Sequence, residues 1–133
     1  MFKTILFPID MSPEAQQAAH LAIDLVKQHQ SQLVLLSVVE TGENPEHPEQ
    51  ASAEAVAKLL HQAQSLFEQQ GVQSKIVERE GQPAFVICDV ADEIDADLIV
   101  MGCRGVGLIE EVQQESVTTR VINLSPCPVL IVP

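Results

Sequence analysis

Tryptophan and tyrosine are absent from this 133-residue chain, and its aromatic residues are four phenylalanines. Single-stranded bases therefore find no platform of aromatic rings to stack on. Basic residues are scarce as well. Seven Lys and Arg stand against nineteen Asp and Glu, a formal charge of −12 at pH 7. A field of that sign repels nucleic acid and anionic membrane surfaces, so neither is an expected partner. No apolar run approaches the ~18 residues that would suggest a membrane span. The opening Met1-Phe2-Lys3-Thr4-Ile5-Leu6-Phe7-Pro8 lacks the long apolar stretch and small-residue cleavage site of a secretory leader. A cytoplasmic location is the expectation.

Cysteine is limited to three residues with no Cys-x-x-Cys spacing, which makes no disulfide framework. Cys88 falls within a helical pattern and is expected in the core. Cys127 lies between two prolines. Cys103 sits among glycines, either as a small loop residue or as a redox residue whose pKa only Arg104 would lower. Catalytic motifs are missing too. Ser12, Ser37 and Ser116 have no base near them in sequence, and neither Gly-x-Ser-x-Gly nor His-Glu-x-x-His occurs. No catalytic residue is expected, and any catalysis would be slow hydrolysis of a bound nucleotide. His47 lies between Glu46 and Glu49 in a proline-rich loop, a spacing that suits a solvated loop better than a metal site. His20, His29 and His61 map to polar or boundary sides of helices. No metal site is expected.

Against these absences, 46% of the residues are hydrophobic, enough for a core in one domain spanning residues 1–133. Lys3 to Ile9 reads as a buried strand ending at Asp10. Ser12-Pro13-Glu14 supplies an N-cap, a first-turn proline and an acid near the positive helix end. Ala15, Ala18, Ala22, Leu25 and Val26 follow at helical spacing. Leu33 to Val39, broken only by Ser37, reads as a second buried strand. Thr41 to Gln50 is a loop. Val56, Leu59, Leu60, Ala63, Leu66 and Phe67 mark the inward face of a helix that Gly71 closes. Val72 to Glu80 has a short apolar centre between charges and reads as a polar edge strand. Gly81-Gln82-Pro83 opens a third helix, with Val86, Ile87, Val90, Ala91 and Ile94 inward and Asp89, Asp92 and Glu93 outward. Strands alternating with helices predict an α/β fold: an open, parallel, Rossmann-like sheet with helices on both faces.

The last third carries the functional signal. The buried run Asp97-Leu98-Ile99-Val100-Met101 stops at Gly102, and Gly102-Cys103-Arg104-Gly105-Val106-Gly107 follows. Ser116-Val117-Thr118-Thr119 reads as a helix start, and Val129-Leu130-Ile131-Val132 as a last buried strand. Glycines let backbone N–H groups approach an anion, and a helix start adds free donors and a positive dipole end. In such sheets ligands bind beyond the carboxyl ends of strands, where the winding reverses. With the first strand central and the fourth beside it, Asp10 and Gly102 meet there.

Over essentially its whole length the sequence resembles the universal stress protein family. The resemblance lies in Ile5-Leu6-Phe7-Pro8-Ile9-Asp10, in Leu36-Ser37-Val38-Val39-Glu40 and in Ala96-Asp97-Leu98-Ile99-Val100-Met101-Gly102. It closes with Ser125-Pro126-Cys127-Pro128-Val129-Leu130-Ile131-Val132. It implies a five-stranded sheet in the order 3-2-1-4-5 and a homodimer through the C-terminal strand, Val129, Leu130, Ile131 and Val132. Many members bind ATP through Gly-x-x-Gly, nine residues, then Gly-Ser or Gly-Thr; others lack the motif and do not. By position, Pro8, Ile9, Asp10 and Val38 match the adenosine-side contacts. Met101, Gly102, Arg104, Gly105, Ser116 and Val117 match the loop contacts.

The chain keeps Gly102-Cys103-Arg104-Gly105, the nine-residue spacing and Ser116, but has Glu115 in place of the second glycine. A carboxylate where the motif brings phosphate adds bulk and like charge, at on the order of a few kcal/mol in an intermediate dielectric. Glu110 and Glu111 deepen that field. ATP would then need Mg²⁺ or a rearranged loop, whereas ADP, AMP or a cyclic nucleotide carries less charge. Two functions follow: a dimeric adenine-nucleotide-binding stress sensor or adaptor, or a dimeric interaction protein that holds no nucleotide. On the first, Glu115→Gly should raise ATP affinity ~10-fold, equivalent to ~1.4 kcal/mol, and raise it more for ATP than for AMP. Glu115→Gln separates charge from bulk. Calorimetry showing no gain for either variant would refute this account of residue 115.

Overall fold

Runs of Leu, Ile and Val too short and too uninterrupted for helices become strands hidden on both faces. In the computed structural model, which describes residues 2–10, 14–41, 52–102 and 117–133, five strands alternate with four helices. The order is β1 (Thr4–Pro8), α1 (Glu14–His29), β2 (Gln32–Glu40), α2 (Ala53–Gln69) and β3 (Ser74–Gly81). It continues with α3 (Pro83–Glu93), β4 (Leu98–Gly102), α4 (Val117–Leu124) and β5 (Val129–Val132). The strands form one sheet in the order β3-β2-β1-β4-β5, and every pairing is parallel. The expected order and the helices on both faces are what the chain adopts.

The two-residue repeat of the strands sorts the core into two layers. Ile5, Phe7, Leu33, Leu35, Leu98 and Val100 face one side, where Ala18, Ala22 and Val26 of α1 and Val56, Leu60 and Phe67 of α2 cover them. Leu6, Val34, Leu36, Val38, Ile99 and Met101 face the other, under Ala84, Ile87, Cys88, Val90 and Ala91 of α3 and Val121 of α4. The small alanines of α1 let that helix lie close on the sheet. Phe7 and Phe67 meet edge to face at 5.9 Å, a favoured aromatic geometry.

Helix ends follow local chemistry. Ser52 caps α2, its hydroxyl accepting from the Ala55 N–H at 3.3 Å. At the other end the Gly71 N–H donates to the Glu68 carbonyl and the Val72 N–H to the Phe67 carbonyl, both at 2.9 Å. This is a Schellman closure, and Gly71 takes the left-handed φ of 82° it requires. Gly81, at φ 143°, leaves no room for a side chain, since a Cβ there would lie 2.8 Å from a methyl of Val86.

β3 is the polar edge that its sequence suggests, with Ile76 and Val77 only partly buried. Cys88 is buried, and Asp89, Asp92 and Glu93 are exposed, as read. Leu66 is a correction: helical spacing put it inward, yet it is 62% exposed. Helical phase explains this, since Val56, Leu60, Ala63 and Phe67 already fill the inward stripe and Leu66 falls at its border. Ser12 and Pro13 lie outside the described residues, as does the loop at 42–51.

At the amino end of the sheet Asp97 ties the first strand down. Its carboxylate accepts from the backbone N–H of Lys3 at 2.9 Å and of Thr4 at 3.0 Å. Its own N–H donates to the Thr4 carbonyl at 2.8 Å. Asp97→Ala should cost about 1–3 kcal/mol, the range for hydrogen bonds to a charged group, and lower the urea midpoint at unchanged slope. An unmoved midpoint would show that the clamp contributes nothing.

Candidate functional site

The sheet reverses its winding between β1 and β4. From β1 the chain passes to α1 on one face, and α4 covers the other. The carboxyl ends of these two strands lie side by side at that reversal, the place where open parallel α/β sheets take ligands in a crevice. Pro8 ends β1, Ile9 and Asp10 follow it, and Met101 and Gly102 end β4. The structure thus brings these five expected residues to one edge of the sheet.

β2 is nine residues long, β1 five, so β2 runs past its neighbour. Pro8 pairs with Leu36, and the Ile9 N–H donates to the Leu36 carbonyl at 2.8 Å. Two residues on, Val38 presents its backbone to the same side, toward the segment that carries Asp10. The Val38 side chain is buried in the second core. Asp10 is half-buried.

Three buried polar residues lie near this edge, two of them hydrogen-bonded to its backbone, and sequence reasoning gave none of them a role. Ser37, which reads as a mere break in an apolar run, is buried and donates its hydroxyl to the Ile9 carbonyl at 3.1 Å. It fastens the residue before Asp10 to β2, and its role is structural rather than nucleophilic. Thr118, buried in the first turn of α4, donates to the Gly102 carbonyl at 3.5 Å. That contact sets Val117 and the start of α4 beside the end of β4. Glu40, 6% exposed, is the only buried charged residue among the described ones. It ends β2 opposite Gly81, where β3 turns into α3. A serine inside an aliphatic strand and an acid at its end were the available signals. Their meaning depends on which strand lies alongside.

Arg104, Gly105, Glu115 and Ser116, with Cys103 and His47, lie outside the described residues. Among the described residues no three His, Cys, Asp or Glu side chains group as metal ligands. No described helix is long and apolar enough to cross a membrane. His20 and His61 are exposed, and His29 meets the Phe2 ring edge to face at 5.3 Å, so all three sit where the helical pattern puts them.

An open parallel sheet with a crevice between its central strands defines a Rossmann-like α/β protein. The sequence matches the Universal stress protein family across residues 1–133. It is 65% identical over 136 residues to a universal stress protein of Synechocystis sp., covering all of this chain and 87% of that protein. The fold superposes on universal stress protein UspA from Lactobacillus plantarum with a TM-score of 0.81 at 27% identity, covering 99% and 98% of the two chains. A universal stress protein in complex with cAMP gives a TM-score of 0.81 at 21% identity, covering 99% and 97%. One from Archaeoglobus fulgidus in complex with dAMP gives 0.75 at 21%, covering 99% and 98%. The chain belongs to the universal stress protein family.

Ser37→Ala should leave the buried Ile9 carbonyl without a donor, at about 1–3 kcal/mol of stability. Chemical denaturation checks it. A loss below a few tenths of a kcal/mol would show that Ile9 is held by its N–H alone.

Proposed function

We propose that this protein binds an adenine nucleotide in the crevice beyond β1 and β4 and acts as a dimeric sensor or adaptor rather than an enzyme. One observation carries the reading. Asp10, the Val38 backbone, Met101-Gly102 and the start of α4 converge at the winding reversal. In this reading Pro8, Ile9, Asp10 and Val38 surround the adenosine. Gly102, Arg104, Gly105, Ser116 and Val117 serve the ribose and phosphate, with Met101 beneath them. Backbone donors at a helix start favour an anion there.

The missing glycine at position 115 shifts the preference toward a nucleotide with few phosphates. The cAMP and dAMP complexes of proteins with this fold accord with a mononucleotide. Mg²⁺ enters only with ATP, as a counter-charge to phosphate. Glu115 also supports the second reading, an interaction protein of the same fold with no nucleotide.

The dimer belongs to the same proposal. β5 is an apolar edge strand whose four residues are half-buried. An uncovered edge of that kind invites pairing, and a second copy across a two-fold axis would cover it. A cytoplasmic location completes the reading.

Protein without Trp or Tyr absorbs little near 260 nm, so co-purifying nucleotide is read directly from the absorbance ratio. Calorimetry with AMP, ADP, ATP and cAMP then ranks the ligands. Asp10→Ala should weaken the preferred one by ~1–3 kcal/mol, the cost of losing a charged hydrogen-bond partner. No bound nucleotide and no titratable heat with any of the four would leave the interaction-protein reading standing. Binding that survives Asp10→Ala unchanged would remove Asp10 from the site.

A further inference from the structure

Where α2 gives way to β3, at the amino end of that edge strand and away from the proposed nucleotide site, lies a cleft of about 420 Å³. Small-molecule pockets span roughly 300–1,000 Å³. Glu68, Gly71, Val72, Gln73 and Ser74 line this one. Val72 is buried and roots the segment in the first core.

The electrostatics of this helix end have one sign. Backbone dipoles place partial negative charge at a helix C-terminus, where a cation is favourable. The last turn of α2 carries no basic residue and does carry Glu68. Lys75, next along the chain, does not offset this. Strand alternation puts Lys75 with Val77 on the side of the second core, and Ser74 with Ile76 on the side of the first, where α2 lies.

Ser74 supplies an independent observation. Its carbonyl accepts from the Gln64 side-chain amide at 2.9 Å, which fixes the residue against α2. Its hydroxyl oxygen is buried and finds no hydrogen-bond partner among the described residues. Buried polar atoms are normally paired, and each unpaired one calls for an explanation. A ligand that donates a hydrogen bond pairs this one.

We propose that the cleft between α2 and β3 binds a small primary alkylamine in its ammonium form. An ammonium group combines a positive charge with several N–H donors and accepts nothing. It matches a carboxylate, a lone hydroxyl oxygen and the negative end of a helix. One carboxylate and one hydroxyl fall short of the about six to eight oxygens that Ca²⁺ takes, and neither is the nitrogen or sulfur ligand that Zn²⁺ favours. The net charge of −12 draws cations toward the surface, and the cleft selects among them by hydrogen bonding.

The test titrates the full, ¹⁵N-labelled chain with n-butylamine hydrochloride at neutral pH and fixed ionic strength, following backbone amide shifts. Saturable shifts confined to residues 68–74 are expected, and none with n-butanol, a neutral analogue of the same length. Glu68→Gln should weaken the amine by ~5-fold, the effect of one charge pair at a solvent-exposed site. Ser74→Ala should weaken it too, yet leave the urea midpoint unchanged or raised, since it deletes an unpaired buried oxygen. Shifts that do not saturate or that scatter over the acidic surface, equal binding of n-butanol, or affinity unmoved in both variants would each overturn the proposal. A lowered urea midpoint for Ser74→Ala would overturn it as well, by showing that the hydroxyl is already paired within the fold.

Discussion

β1 carries hydrogen-bonded ladders on both sides, to β2 and to β4, and sends side chains into both cores. A parallel strand in that position must be covered above and below, which is why its residues are aliphatic on both faces. Asp97 clamps its start and Ser37 fastens its exit. Asp10 is only as well placed as the strand it follows, and these two polar contacts hold that strand at both ends.

The same constraint separates rigidity from chemistry. The two aliphatic layers hold the sheet, and the buried polar residues among those described, Ser37, Glu40 and Thr118, lie toward its carboxyl edge. Buried there, Glu40 is a costly group to remove from water, and it is retained at the end of β2 beside the turn into α3. Ser37 and Thr118 each spend a hydroxyl on a backbone carbonyl at this edge. They position the segments that the proposed function assigns to the nucleotide.

Membership of the universal stress protein family leaves open whether this chain holds a nucleotide, because Glu115 departs from the glycine of the phosphate motif. In the proposed reading, that one side chain weighs between two functions of a single fold. Folds supply crevices, and the residues lining them supply function.

Periodicity and glycine placement alone determined the element order, the two-sided burial of β1, β2 and β4, the polar edge at β3 and the closure of α2 at Gly71. These follow from local rules, since side-chain spacing and backbone conformation depend on near neighbours in sequence. The sheet order and the convergence of Asp10 with Gly102 came with the family resemblance, which carries tertiary information that spacing does not. Tertiary structure alone decided what Ser37, Thr118 and Asp97 do, because each acts on a residue in or beside another strand, and it alone buried Glu40. It also turned Leu66 outward, since helical phase against the sheet is set only once the layers have packed.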